Sequence, residues 1–292
     1  MSFKKTTRFL YEYGIVIPMK DKYSATWVSY SSLSDYLKCP RAYYLKNMYR
    51  DPKTNHKITL MQPSLALGQT VHDVIDAIAV LPVEKRLEKP LMEIFEEKWK
   101  SITGSMGGFR DEKDEEGYKK RGQAMIQRVV EHPGPVLRKA IRLRDSLSWY
   151  WLSEEDNLIL CGKIDWLEYL ENDDSIRIID FKTGKFDEDP DSLQLPIYFL
   201  LCANVQKRGI AGVQYWYLDK DDEPIDMPLP RYDESEKQLL EIGKRIALAK
   251  KLDRFICSQK DGCQACRPME RIIEGKAKFV GVNDYNQDVY IL

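Results

Sequence analysis

Cysteine and long apolar runs are both scarce in this sequence, and each scarcity removes a class of protein. Six cysteines among 292 residues are too few for the disulfide scaffold that stabilises small secreted domains. The longest apolar stretches, such as 195–205, are too short or too interrupted to span a bilayer, and the first residues lack the basic and apolar segments of a signal peptide. We therefore expect a cytoplasmic protein with no membrane partner.

A net charge of one sign is lacking as well. The chain has 45 Lys and Arg against 46 Asp and Glu, a formal net charge of −1, so it has no global attraction to nucleic acid. Residues 1–60 differ, because eleven basic and four acidic side chains there leave an excess of +7. This segment either faces water or forms a local patch for an anionic partner.

The composition does provide enough apolar material for a core. With 43% hydrophobic and 31% charged residues, we expect one sizeable domain with additions or two small domains. We divide the chain into a basic N-terminal segment at 1–60, a core at 61–220 with a helical insert at about 84–146, and a C-terminal helix and tail at 221–292. The three parts are expected to form one integrated domain.

The periodicity of the apolar residues predicts an α/β fold. Apolar positions recur at helical spacing over 66–79, and a run of capping residues at 31–34 predicts a helix that continues past Cys39 to Leu45. Three strands in succession predict an antiparallel meander. The predicted elements that follow the insert are strands at 148–152, 158–170 and 176–181, a helix from 190–192 to about 208, a strand at 212–218 and a helix at about 234–252.

Charged residues at strand positions indicate a possible site. Period-two alternation places Asp180 and Lys182 on one face of a strand, and Lys163 and Asp165 together on the strand before it. Burying such charges costs several kcal/mol unless they are paired or bound to metal, and carboxylate oxygens suit Mg²⁺. The alternative is an Asp-x-Lys pair on an exposed hairpin, which needs no function.

Two helices supply further candidates. His72 lies one turn after Gly68, whose missing side chain would let the helix approach the sheet, and an imidazole there could complete a metal site. Gln194 and Tyr198 are one turn apart at the start of the later helix. Each is also a common structural residue when taken alone.

Together these residues form four ordered motifs that resemble the RecB-like nucleases of the PD-(D/E)XK superfamily, the group that includes the four-cysteine CRISPR-associated nucleases. The matching segments are Gly68-x-x-x-His72, Gly162-Lys163-Ile164-Asp165, Asp180-Phe181-Lys182-Thr183-Gly184 and Gln194-x-x-x-Tyr198. The resemblance spans about residues 30–270 and implies a restriction-endonuclease-like core of helix, three-stranded meander, helix and strand, with added helices.

The resemblance also implies an activity and residue roles. By that likeness His72, Asp165, Asp180 and the Phe181 carbonyl are ligands of Mg²⁺ or Mn²⁺, Lys182 activates or orients water, and Gln194 and Tyr198 hold the lysine, the metal shell or the DNA backbone. Arg41, Tyr43 and Tyr44 match a segment near the DNA path, where a guanidinium suits phosphate and rings suit bases. The implied reaction is metal-assisted phosphodiester hydrolysis by a DNA exonuclease.

Four of the cysteines form a separate pattern. Cys257, Cys263 and Cys266 are close in sequence near the C-terminus and Cys39 lies far upstream; four thiolates can hold a [4Fe–4S] cluster or a Zn²⁺ ion. Members with a cluster are similar in taking one cysteine from a Cys-Pro-Arg region and three from the tail, but there the close pair comes first and the third cysteine after it. We expect iron–sulfur before zinc, with free thiols as the alternative. The other two cysteines, Cys161 and Cys202, are expected in the core.

Other functions remain open at this point. A non-catalytic DNA-binding or assembly subunit would keep the fold without the chemistry, and a nuclease of this type could act in recombination, repair, phage replication or CRISPR adaptation. The sequence has no Gly-x4-Gly-Lys-Ser/Thr motif. We therefore expect the protein to act on DNA that is single-stranded or has free ends. Unwinding of duplex DNA would need a separate helicase, and the partner is expected to be such a helicase or a CRISPR or recombination protein.

Overall fold

A computed structural model describes residues 9–12, 15–18, 21–143 and 147–292. Of the eleven basic residues counted in 1–60, four lie outside these residues: Lys4, Lys5, Arg8 and Lys20. The end of the expected insert, at 144–146, lies outside them too.

The described residues form a mixed α/β structure, as predicted. The strands are β1 (Phe9–Glu12), β2 (Ile15–Pro18), β3 (Thr26–Val28), β4 (Lys57–Leu60), β5 (Ser148–Ser153), β6 (Leu158–Gly162), β7 (Trp166–Leu170), β8 (Ser175–Lys182), β9 (Gly209–Tyr217), β10 (Ile225–Met227), β11 (Lys278–Val282) and β12 (Gln287–Ile291). The α-helices are α1 (Tyr30–Lys38), α2 (Pro40–Tyr43), α3 (Pro63–Ala79), α4 (Leu91–Trp99), α5 (Glu112–Glu131), α6 (Gln194–Val205), α7 (Tyr232–Lys251) and α8 (Arg267–Ile273). Short 3₁₀ turns span Val83–Lys85, Lys100–Ile102, Gly104–Gly107 and Gly134–Leu137, and a π turn spans Tyr44–Met48. None of these described helices is both long and apolar enough to cross a membrane.

The largest sheet has four strands in the order β10-β9-β8-β7. β8 pairs with β7 in the antiparallel sense and with β9 in the parallel sense. Since a parallel pair needs a crossover, α6 connects β8 to β9 across one face of the sheet. Smaller sheets have the orders β3-β6-β5, β11-β12-β4 and β1-β2.

The predicted strand at 158–170 is in fact two strands. β6 belongs to the sheet with β3 and β5, whereas β7 belongs to the four-stranded sheet. The break falls at Lys163–Asp165, where both charged side chains turn toward partners on α3. The meander is therefore shared between two sheets, and Asp165 lies where the chain passes from one to the other.

Two apolar layers cover the four-stranded sheet. On one side Ile176, Ile178 and Val213 share an apolar cluster with α6; on the other side Ile179 and Phe181 share a cluster with α3, α4 and α5. This alternation along β8 is the period-two pattern of a strand that is buried on both faces. It directs Asp180 and Lys182 toward the α6 side.

Two helix boundaries differ from the prediction. α1 is capped by Ser29 in a capping box and ends at Lys38, because Pro40 has no N–H and disfavours a helical residue before it. Cys39 is therefore extended, with φ −169° and ψ 121°, and Pro40 begins α2. α6 begins at Gln194 rather than at 190–192, since a turn stabilised by Asp189 occupies those residues.

Candidate active site

His72 and Asp165 meet between α3 and the start of β7. Apolar side chains of α3, among them Val71 and Ile75, pack into the core, which leaves His72 on the edge facing the sheet. Its Nδ1 lies 3.4 Å from Asp165 Oδ2, and the same oxygen accepts a hydrogen bond from the Phe181 N–H at 3.1 Å. The backbone of β8 thus fixes the carboxylate.

The charges of this pair reinforce each other. Burial by itself lowers the pKa of His72, but the Asp165 carboxylate outweighs it and raises the pKa to about 9. Burial likewise raises the pKa of Asp165, but His72 and the Phe181 N–H lower it below its usual value. Without metal, the pair is an imidazolium and a carboxylate at neutral pH.

Asp180 and Lys182 lie together on β8, as the alternation predicts. Lys182 Nζ is 3.0 Å from Asp180 Oδ2 and 2.9 Å from Glu188 Oε2, and it donates a hydrogen bond to Gln194 Oε1. Gln194 Nε2 donates to Asp180 Oδ1 at 2.7 Å and to the Tyr198 hydroxyl at 3.1 Å. One amide thereby orients both the lysine and the carboxylate.

The burial of Asp180 makes it an unusual carboxylate. Its exposure is 2%, and burial together with the charge of Asp165 raises its pKa to about 7. Its Oδ2 is at ion-pair distance from Lys182 but has no hydrogen bond of good geometry within the described residues. Such an acceptor is costly to bury and is suited to a cation.

Lys182 remains a cation in this setting. Burial lowers its pKa, but the carboxylates of Asp180 and Glu188 outweigh burial and raise the pKa above its ordinary value. The Tyr215 ring, 4.7 Å from Nζ, adds a cation–π contact. The side chain can therefore orient water or offset phosphate charge, whereas it is a poor base.

Glu188 was missed by the sequence reasoning. Its Oε1 accepts a hydrogen bond from the Tyr30 hydroxyl at 2.6 Å, and its N–H donates to the Tyr217 hydroxyl at 3.1 Å. The sequence gives no signal for it, because it is one of four acids in the loop at 187–191. Only the fold shows that this acid contacts Lys182.

These side chains line an open cleft of about 320 Å³. The lining residues are His72, Asp165, Asp180, Phe181, Lys182, Thr183, Gly184, Phe186, Glu188, Gln194 and Tyr198. Gly68 lets α3 come close, since a Cβ there would lie 3.0 Å from Thr183 Oγ1. Lys163 instead pairs with Asp76 on α3.

The residues fit a hard divalent cation chemically. Two carboxylates and an imidazole converge on one cleft, and the buried Asp180 Oδ2 is free to accept. Among the described residues, the four cysteines form the one group whose three or more potential ligand atoms lie close enough together to hold a metal; the ligand atoms of the cleft do not form such a group.

The four cysteines come together as predicted. The Sγ atoms of Cys39, Cys257, Cys263 and Cys266 all lie within 4.8 Å of one another, so they can hold a metal. The pKa of the Cys263 thiol is lowered to about 7, mainly because the backbone N–H of Cys266 donates a hydrogen bond to it. The remaining two thiols, of Cys161 and Cys202, are buried elsewhere in the core.

The proposed DNA-path segment is only partly accessible. Tyr43 is 3% exposed and its ring packs on Phe255 and Tyr36, so in this structure the ring is not offered to a base. Tyr44 also stacks on Phe255, and Arg41 is paired with Glu270. Apolar spacing alone cannot distinguish a ring in the core from one that is offered to a ligand.

Comparison with known proteins assigns the chain to a family. The PD-(D/E)XK nuclease superfamily model matches residues 27–271, and no protein among those curated for function matches the chain. A crystal structure of a candidate exonuclease from Eubacterium rectale is similar at 13% identity, covering 83% of this chain and 87% of that one with a TM-score of 0.47. The family match includes every motif that lines the cleft, and the chain belongs to the PD-(D/E)XK nuclease superfamily.

Proposed function

We propose that this nuclease is a Mg²⁺- or Mn²⁺-dependent exonuclease of RecB-like type that hydrolyses DNA from free ends. The observation that carries the proposal is the meeting of His72 and Asp165 with Asp180 and Lys182 in one cleft. The four RecB-like motifs supply these residues in the expected order.

Each residue has a role that follows from its contacts. Asp165, Asp180 and His72 would hold the cation, with the Phe181 carbonyl as a further oxygen, and a bound divalent ion supplies Lewis-acid stabilisation of the phosphorane-like charge. Lys182 offsets charge on the scissile phosphate and orients the attacking water. Gln194 keeps Lys182 and Asp180 in register, and Tyr198 restrains that amide.

A non-catalytic DNA-binding subunit is the second candidate. It would need no fully buried carboxylate with a raised pKa beside a second carboxylate, because such a cluster costs stability. The arrangement favours catalysis.

The pathway and any helicase partner depend on proteins other than this chain. The pathway could be repair, recombination, phage replication or CRISPR adaptation. A reducing compartment such as the cytoplasm suits its six unpaired thiols.

The test is a metal-titrated assay with end-labelled linear, single-stranded and circular DNA. We expect Mn²⁺- or Mg²⁺-dependent loss of the linear and single-stranded substrates while circular duplex persists. Asp165→Asn, Asp180→Asn and Lys182→Met should each lower the rate at least 100-fold, about 3 kcal/mol of transition-state stabilisation. Asp173→Asn is the matched control, because this exposed acid lies in the turn between β7 and β8.

The outcomes separate the two candidates. Wild-type protein that binds DNA but cleaves none of these substrates with either metal, and behaves like the three variants, supports the binding subunit. Cleavage of circular duplex at a comparable rate would retain the nuclease and reject exonuclease action.

A further inference from the structure

The spacing of the four thiols carries information about what they bind. All four Sγ atoms lie within 4.8 Å of one another, and those of Cys263 and Cys266 are 3.8 Å apart. Four sulfurs at about 2.3 Å from one ion in tetrahedral directions lie about 3.8 Å apart. Cys263 and Cys266 have this separation, and no other pair of the four exceeds it by more than about 1 Å, the difference between 4.8 and 3.8 Å.

A [4Fe–4S] cluster requires a different spacing of the cysteine sulfurs. Each cysteine there binds a separate iron, and the irons and sulfides lie between the four thiolates. The cysteine sulfurs must then stand further apart than around one ion. Accommodating a cubane here would require the sulfurs to spread, although Cys39 and Cys266 are 3% and 0% exposed in a packed cluster.

The protein around the thiols is built for a closed site. Ala42, Leu45, Met269 and Ile272 pack around Cys39 and Cys266. Backbone N–H groups point at two of the sulfurs, from Cys263 to Cys266 Sγ at 3.2 Å and from Gln259 to Cys257 Sγ at 3.4 Å. Such donors stabilise thiolate charge around a metal.

We propose that Cys39, Cys257, Cys263 and Cys266 bind one structural zinc ion. This differs from the [4Fe–4S] cluster that the family resemblance implies. The ion would join the α1–α2 junction to the segment before α8, and with four protein ligands it has no open position for catalysis.

Metal analysis of the whole chain tests this directly. The protein is purified anaerobically from cells grown with ample iron and zinc, so that either metal can load. We expect one zinc per chain, no acid-labile sulfide and no broad visible absorption. X-ray absorption at the zinc edge should show a single shell of four sulfurs.

Variants identify the ligands and separate this site from the nuclease cleft. Cys257→Ser and Cys263→Ser should lose the zinc, while Cys161→Ser, a buried thiol outside the set, and Asp180→Asn should retain it. Cobalt(II) added to the metal-free protein should give the spectrum of a tetrahedral thiolate site even if a serine variant is unstable. Four irons with four sulfides per chain, or wild-type protein free of metal, would overturn the proposal without bearing on nuclease activity.

Discussion

Lys182 is surrounded by oxygen atoms from Asp180, Glu188 and Gln194. Two of these partners are carboxylates, so the ammonium is stabilised in its charged form and cannot readily take a proton from water. In the proposed mechanism, Lys182 would therefore contribute charge and position rather than proton transfer. Position depends on Glu188, which Tyr30 in turn holds through a 2.6 Å hydrogen bond.

Glu188→Gln tests this positioning. The change removes one carboxylate from Lys182, so the ammonium becomes more mobile; we expect kcat to fall about tenfold, or 1.4 kcal/mol, with little change in KM. Tyr30→Phe should have a smaller effect in the same direction, and Glu188→Asp should restore part of the rate. Asp187→Asn, which alters the adjacent exposed acid paired with Lys220, is the control. An unchanged kcat in Glu188→Gln would remove Glu188 from the mechanism.

Metal affinity should depend on pH in a defined window. In the metal-free protein His72 has a pKa of about 9 and Asp180 of about 7, and a cation needs both groups deprotonated. We expect Mn²⁺ affinity to rise between pH 6 and pH 9 and binding to release protons. Calorimetry in buffers of different ionisation enthalpy measures that release.

The variant His72→Gln tests whether His72 causes part of the pH dependence of Mn²⁺ affinity. It should weaken binding and flatten the alkaline part of the window, since only Asp180 would then titrate. The raised pKa of His72 stabilises the metal-free fold fully below about pH 6.5, as long as Asp165 is ionised, and this contribution is lost as pH rises through about 9. A proton release that is the same in wild type and His72→Gln would contradict the assignment.

At the scale of elements, local pattern identified most helices and strands but not their partners. The apolar stripe of α3 was predictable because burial of one helical face leaves a period in the sequence. The run from Leu158 to Leu170 has strand character throughout, so nothing local shows that it divides between two sheets. At that division Asp165 and Lys163 pair with His72 and Asp76 of α3, which are contacts between residues far apart in the sequence.

Pairing between strands that lie far apart in the sequence could not be predicted from local sequence pattern either. β12 pairs in the parallel sense with β4, although more than 200 residues separate them, and each strand is too short to stand out. The same limit hid Glu188, whose importance lies in contacts with Tyr30 and Lys182. By contrast, the four cysteines and the motif residues were found because their residue types and spacing carry the chemistry.

Two glycines of α5 should respond in opposite directions to the same substitution. A Cβ at Gly122 would lie 2.6 Å from Phe95 and 2.9 Å from Leu67 in the core, so Gly122→Ala should destabilise the protein by about 1–3 kcal/mol. Gly117 has nothing within 4 Å, and Gly117→Ala should stabilise by about 0.5–1 kcal/mol because alanine favours helix. Chemical denaturation measures both. Equal shifts would mean that α5 does not pack against α3 and α4 as described.

For the whole molecule, near neutrality predicts weak long-range attraction to DNA. Several cations close to the cleft are already paired with acids: Lys163 with Asp76, Arg121 with Asp219 and Lys220 with Asp187. Few phosphates can then be neutralised without breaking an ion pair.

DNA affinity should therefore fall only moderately with salt. With single strands, the slope of log K against log salt should be shallower than about −4, the value for six phosphate contacts. The exposed Lys185, which lies in sequence between the cleft-lining Gly184 and Phe186, is the residue to change, and Lys185→Ala should reduce the slope by about 0.7. Binding measured by fluorescence anisotropy over a salt series gives both values. A slope steeper than −4 would indicate a larger basic surface than the described residues present.

The position of Asp165 between β6 and β7 has a mechanical consequence. Asp180 belongs to the interior of one sheet, whereas Asp165 lies where the chain leaves another. A cation shared by the two carboxylates would fasten these sheets together, and any tilt between the sheets would change the distance between its ligands. Binding of the cation would then also stiffen the junction of the two sheets. A force that bound DNA applies to either sheet would change the position of the cation at the reacting phosphate.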